Sequence, residues 1–189
     1  MTYNPQKHHR RSIRLKGYDY SQAGLYFITI CCQNRICRFG HIENGKMFLN
    51  DLGLVAYNEW AKLPERFPNF ELDVFQIMPN HIHGIIVLNE LPVGAGFTPV
   101  QNRTITPAQY EKENMAPARF PPRVSDIVGA YKSLVSNECL KLFKRNNDMM
   151  GKLWQRNYHE HIIRNEQSYM NISNYIINNP ANWNSDSLK

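Results

Sequence analysis

The sequence has no run of about 18 apolar residues, the length a helix needs to cross a bilayer, so no membrane span is expected. Its first residues, MTYNPQKHHRRSIRLKG, carry charge but none of the apolar core of a secretory signal, which leads to the expectation of a soluble, cytoplasmic chain. Cysteine is scarce: Cys31, Cys32, Cys37 and Cys139 form no pair of C-x-x-C motifs, which argues against a disulfide framework and a cysteine-held zinc ion. Acid is missing from the amino-terminal arm, where Lys7, Arg10, Arg11, Arg14 and Lys16 stand with His8 and His9 and no Asp or Glu before residue 17. Such an arm beside Tyr18, Tyr20 and Tyr26 suits a phosphate backbone with bases free to stack; the plain alternative is a solvated terminus.

What is present is ordinary for a globular chain. With 42% hydrophobic and 20% charged residues the composition excludes wholesale disorder, and 189 residues fit one domain with a proper core. The net charge of +6 is modest, so its distribution matters more than its size.

Along the chain, LYFITICCQ (25–33) reads as a buried strand, and HIENGKMFLN (41–50) holds the hairpin signal Asn44-Gly45. Asp51 is the expected N-cap of a helix carrying Leu52, Val55, Ala56, Trp60 and Leu63, stopped by Pro64. FELDVFQIM (70–78) alternates with Phe70, Leu72 and Val74 on one side, and HIHGIIVL (81–88) returns as its antiparallel partner. Residues 89–122 hold six prolines and two glycines without a period, so a long loop or insertion is expected there. A helical stripe from Ile127 to Leu142, a short strand at 158–164 and a last helix from an Asn165 cap to about Asn179, ended by Pro180, complete the order. This is an α+β, ferredoxin-like layout: an antiparallel sheet with helices on one face.

The stretch MPNHIHG (78–84) puts His81 and His83 on one face of a strand, with Ile82 on the other. Spacing alone favours a chance polar strand end over a metal-ligand pair. The last helix carries Tyr175 and Asn179 one turn apart on one face, and a tyrosine beside a side chain able to coordinate would suit phosphoryl transfer. A phenol with a pKa near 10 is a weak nucleophile, so attack on a phosphodiester needs a divalent ion, and mixed nitrogen and oxygen ligation suits manganese or magnesium. Geometry does not choose among candidates: His159 and His161 form a second His-x-His pair, and Tyr131 and Tyr169 also lie on expected helices, Tyr131 on an apolar stripe.

The stretches RRSIRLKGYDYSQAGLYFIT, FQIMPNHIHGIIVL, LWQRNYHEHIIRN and YIINNPANW, in this order, resemble the REP-associated tyrosine transposases, a bacterial branch of the single-tyrosine HUH transposases that act on single-stranded DNA. The similarity covers most of the chain outside 89–122. It implies the HUH endonuclease fold in a single domain over 1–189, with a basic arm (1–17) and a Pro-rich insertion (89–122). It implies that His81 and His83 are metal ligands with Asn179 as the third, for a Mg2+ or Mn2+ ion, and that Tyr175 is the nucleophile. His161 matches a family position that also has histidine and His159 one that varies, so this pair is taken as structural or DNA-facing; Asn178 replaces a more usual apolar residue. The implied reaction is nicking and rejoining of single-stranded DNA at REP-like hairpins through a 5′-phosphotyrosine, by a nucleoid-associated monomer or homodimer. Arg10, Arg11, Arg14 and Lys16 would then meet a guide sequence and phosphates. Arg119, Arg123 and Lys132 would line the stem, and Trp154 and Arg156 would be structural or DNA-facing. Two other readings are a domesticated hairpin-DNA-binding protein without chemistry, and a structural zinc site drawing on both histidine pairs.

Overall fold

The computed structural model describes residues 17–90 and 122–189. Arg10, Arg11, Arg14, Lys16 and Arg119, with nearly all of the expected 89–122 insertion, lie outside these residues.

The elements begin with strand β1 (Gly24–Cys31), the hairpin strands β2 (Gly40–Glu43) and β3 (Lys46–Leu49), and helix α1 (Asp51–Ala61). A short helix α2 (Leu63–Arg66) leads to strands β4 (Phe70–Ile77) and β5 (His81–Leu88). After residue 122 come helix α3 (Val124–Arg145), strand β6 (His159–Ile163) and helix α4 (Glu166–Asn178). The main sheet has the order β4-β5-β1-β6 with every neighbouring pair antiparallel, and β2-β3 forms a separate ribbon. This is the expected ferredoxin-like arrangement, in which β4 and β5 are joined directly while the central strand β1 pairs with β5 and β6, both distant in sequence.

Local chemistry explains most boundaries. Asn44 and Gly45 turn the β2-β3 hairpin with positive φ of 50° and 72°, as a tight two-residue loop requires. The cap of α1 is Asn50, whose side chain accepts from Gly53 N at 2.9 Å; Asp51, expected there, is one residue inside, where its charge meets the positive end of the helix. Pro64 does not simply stop a helix but sits in the first turn of α2, where its missing N–H has no helical partner to lose. Asn165 caps α4 as expected, accepting from Ser168 N at 2.8 Å.

Both faces of the sheet are covered, which corrects the expectation of helices on one face. Tyr26, Ile28 and Ile30 of β1, with Ile82, Ile86 and Leu88 of β5, join Ala56 and Trp60 of α1 and Ile127, Val128, Tyr131 and Val135 of α3 in the larger core. On the opposite face Leu25, Phe27, Ile85 and Val87 meet Tyr169, Ile172 and Ile176 of α4 in a smaller one. The reason is the two-residue period: β1 and β5 are apolar at odd and even positions alike, so each side needs a cover. His81 and His83, at odd positions, therefore point to the side of α4.

A register shift between Leu72 and Phe75 breaks the expected alternation of β4. Phe70 and, beyond the shift, Phe75 and Ile77 belong to the larger core, Val74 turns to the smaller one, and Leu72 is exposed.

Candidate active site

His81 and His83 begin β5, in the middle of the sheet, where α1 and α3 close one face and α4 with the tail after it closes the other. Both side chains are fully buried, with their Nε2 atoms 3.0 Å apart. Burial, with a smaller effect of the Arg35 guanidinium, pushes the pKa of His81 down to about 4. Burial and the neighbouring His81 push that of His83 down to about 3, against the opposing pull of Asp186. Near neutral pH both rings are uncharged and so have lone pairs to offer a metal ion.

Helix α4 brings Tyr175 to this pair. Its hydroxyl lies 3.2 Å from His83 Nε2, and its ring meets the His83 ring edge-on with centroids 5.1 Å apart. Phe27 props the ring from the sheet, with centroids 6.2 Å apart at 88°. Tyr175 as a residue remains 46% exposed. Burial and the Asp186 carboxylate raise its pKa above the ordinary phenol value, while a contact with the Asn179 side chain works the other way. Asn179 is the residue just beyond α4, buried, with an Oδ1 that has no hydrogen-bond donor.

The other tyrosines are committed elsewhere. The Tyr131 hydroxyl is buried and donates to Ala56 O at 2.9 Å, and the Tyr169 hydroxyl donates to both Asp73 carboxylate oxygens at 3.1 and 3.2 Å. The second histidine pair pairs in register with Thr29 (His159) and Phe27 (His161), so it shares the sheet face of the first pair, but on the exposed edge strand β6.

One acid was not anticipated. Asp186 lies in the tail after α4, its Oδ2 3.6 Å from His81 Nε2 and its side chain 2% exposed. Because His81 is neutral near neutral pH, this contact is not an ion pair. Among the described residues, His81, His83 and Asp186 form the one group of three or more histidine, cysteine or acidic side chains able to share an ion, with ligand atoms all within 4.8 Å. NWNSDSLK has no period that would have marked Asp186. It is placed by anchors: Trp183 is buried, Asn80 donates to Leu188 O at 2.8 Å, and Arg35 donates to Ser187 O at 2.9 Å.

Of the expected DNA contacts within the described residues, Arg156 is exposed. Lys132 is turned inward: its ammonium donates to Gln155 O at 2.7 Å and Arg156 O at 3.2 Å. Arg123 caps α3 and pairs with Asp126 at 3.2 Å, and Trp154 is a core residue donating to Lys132 O. Nothing in these contacts places Lys132 or Arg123 at a DNA surface.

No protein-family model matches the chain. An uncharacterized Haemophilus influenzae protein is 45% identical over 186 residues, which are 98% of this chain and 96% of that one. A second Haemophilus influenzae protein, provisionally named a REP-associated tyrosine transposase, is 26% identical over 165 residues, 86% of this chain and 73% of its own. A REP-associated tyrosine transposase solved with a REP hairpin bound superposes with a TM-score of 0.56 at 18% identity, covering 90% of this chain and 74% of that one. The chain is thus similar to REP-associated tyrosine transposases, distantly in sequence and also in fold. The α+β fold shared with the hairpin-bound structure, a four-stranded antiparallel sheet with helices, is the frame that carries His81, His83 and Tyr175.

Whether a divalent ion fits is decided by the acceptors. Asn179 Oδ1 and Asp186 Oδ2 are both buried without a hydrogen-bond donor. Leaving such atoms unpaired costs about 1–3 kcal/mol each. Two neutral imidazoles beside two orphaned oxygens make a cluster rich in lone pairs and poor in protons, which a cation satisfies and a water satisfies only in part. The donor set fits a divalent ion, with a carboxylate added to the expected set.

Proposed function

We propose that this chain nicks single-stranded DNA beside a hairpin and joins strands through a 5′-phosphotyrosine formed on Tyr175. What carries the reading is the 3.2 Å approach of the Tyr175 hydroxyl to His83 Nε2, within a cluster of acceptors that suits a divalent ion. It is supported by the 26% identity to a protein named as a REP-associated tyrosine transposase and by the fold shared with the structure solved with a REP hairpin.

His81 and His83 would hold the ion, magnesium or manganese, with Asp186 or Asn179 as oxygen ligands. Such an ion polarises the scissile phosphate and offsets charge growing on its oxygens. Phe27 and α4 fix the phenol in place, so attack begins from an oriented side chain. The Tyr175 oxygen forms a bond to phosphorus, the bond to the DNA 3′-oxygen breaks, and the products are a 5′-phosphotyrosine and a 3′-hydroxyl. The phenol proton passes to solvent over the exposed side of the ring, and the departing oxygen takes one from water. Because the phosphotyrosine keeps the energy of the broken bond, a 3′-hydroxyl can reverse the step and rejoin DNA without a nucleotide cofactor. The basic residues Arg10, Arg11, Arg14 and Lys16 would contact phosphates of the hairpin and its flank.

A labelled hairpin oligonucleotide with single-stranded flanks tests this on a denaturing gel, with and without manganese. The expected result is a metal-dependent covalent adduct that Tyr175→Phe abolishes while hairpin binding survives. Binding without an adduct, over flanks of varied sequence, would leave a hairpin-binding protein in place of a transferase.

A further inference from the structure

The second histidine pair lies beside the site, and the chemistry at Tyr175 gives it no role. Strand β6 is an edge of the main sheet and pairs with β1, His159 opposite Thr29 and His161 opposite Phe27. On its other side β1 sets Thr29 opposite His83. The Thr29 hydroxyl meets the His83 ring at 2.8 Å, and the Phe27 ring meets that of Tyr175. Thr29 and Phe27 therefore face the site, and residues directly opposite each other in a sheet share a face. The isoleucines that follow agree: Ile163 packs in the smaller core with Ile85 and Ile176, while Ile162 packs in the larger one. A polar row thus runs from His83 through Thr29 to His159, from the middle of the sheet to its edge, about 10 Å over two strand spacings.

The cover over this face is uneven. Helix α4 packs against β4 and β5 and reaches β1 where the Tyr175 ring meets Phe27. Toward β6 it leaves His159 and His161 exposed, and Tyr175, itself partly exposed, stands at the border. Two residues apart on a strand, the imidazoles are spaced by about 7 Å, on the scale of neighbouring phosphates in an extended DNA strand. Imidazole N–H groups donate to phosphate oxygens, and bonds to an anion are stronger than those between neutral groups. The surrounding charge has the matching sign. Exposed Arg156 and Arg164 stand before and after β6, and Glu160, the acid of the strand, takes the opposite face.

We propose that His159 and His161 form the bed for a single-stranded flank of the DNA, donating to backbone phosphates next to the one that Tyr175 attacks. They position the strand and take no part in metal binding or in the chemistry. The proposal rests on reading Tyr175 as the nucleophile, since that reading brings a DNA strand to this border. The other use of such a pair, to keep a sheet edge polar and unpaired with a second chain, calls for no DNA contact.

Fluorescence anisotropy with a labelled DNA hairpin, carrying short single-stranded flanks or none, separates the two without metal and without an adduct. The full chain is expected to bind the flanked hairpin more tightly than the blunt one. His159→Ala combined with His161→Ala is expected to weaken the flanked complex about 10-fold, the size of one hydrogen bond to a charged group, and to leave the blunt one unchanged. Glutamine at both places keeps an N–H donor and is expected to restore most of the loss. With uncharged methylphosphonate linkages in the flank, the alanine pair should add no further loss. His159→Glu alone, which sets a carboxylate against the phosphates, should also weaken the flanked complex, and it carries the test should the alanine pair not fold. Equal binding of flanked and blunt hairpins by the native chain overturns the proposal. So do variants that bind the flanked hairpin as tightly as the native chain, losses alike on both DNAs, a glutamine pair as weak as the alanine pair, or a loss undiminished on the methylphosphonate flank. The expected flank effects with no adduct on any hairpin would keep this contact and remove the phosphotyrosine reading alone.

Discussion

A tyrosine becomes a candidate nucleophile by what its oxygen lacks as much as by what it meets. Tyr131 and Tyr169 spend their hydroxyl protons on Ala56 O and Asp73, whereas the Tyr175 oxygen faces a histidine nitrogen and solvent. Tyr169→Phe is accordingly expected to keep adduct formation and to lose about 1 kcal/mol of stability in denaturant titration. The histidines predict a pH effect on the metal-free chain. Their folded pKa values, about 4 and about 3, lie below the unfolded value near 6.5, so between these limits the unfolded chain binds more protons. Stability should rise with pH through that window and fall as the solution is acidified from about 6.5 toward 4. In His81→Gln this slope should shrink, measured as the thermal midpoint against pH; an unchanged slope would place the acid sensitivity elsewhere. His81, His83, Tyr175 and Asn179 were legible as a set because the motifs stand in a telling order, although spacing alone left the His-x-His pair ambiguous. Asp186 was not legible, since what brings it to His81 is the burial of Trp183 and the two carbonyl contacts of the tail, and neither leaves a periodic trace.

At the scale of elements, the glycine that ends MPNHIHG has a packing reason. A Cβ on Gly84 would stand 2.6 Å from the Trp60 ring, so the side chain of α1 needs that gap in β5. Gly84→Ala should therefore cost about 1–3 kcal/mol through overpacking, and, being next to His83, should also disturb the site. Urea titration and manganese binding measured together would show both losses. The strands, the hairpin and the helices were readable from period and turn chemistry; the placement of α4 was not. A run such as HIHGIIVL is apolar on both faces after its histidines, and periodicity does not tell which helix covers which face. The bulge in β4 escaped for a related reason: its Asp73 is paired to Tyr169, nearly a hundred residues later.

For the molecule as a whole, the net charge of +6 matters through its arrangement. The acid-free run holding Arg10, Arg11, Arg14 and Lys16 predicts hairpin binding that weakens steeply with salt. Replacing these four by Ala should flatten the slope of log K against log salt by about three, at roughly 0.7–0.9 for each phosphate no longer neutralised. An unchanged slope would mean that the arm does not touch phosphate. Among the described residues no helix is long and apolar enough to cross a membrane. The central claim is that Tyr175 carries the DNA, and peptide mapping of the isolated adduct tests it most directly. One modified peptide is expected, from α4, with a 5′-phosphonucleotide on Tyr175 and a free 3′-hydroxyl on the released strand. A nucleotide found on Tyr131, Tyr169 or any other side chain would contradict it.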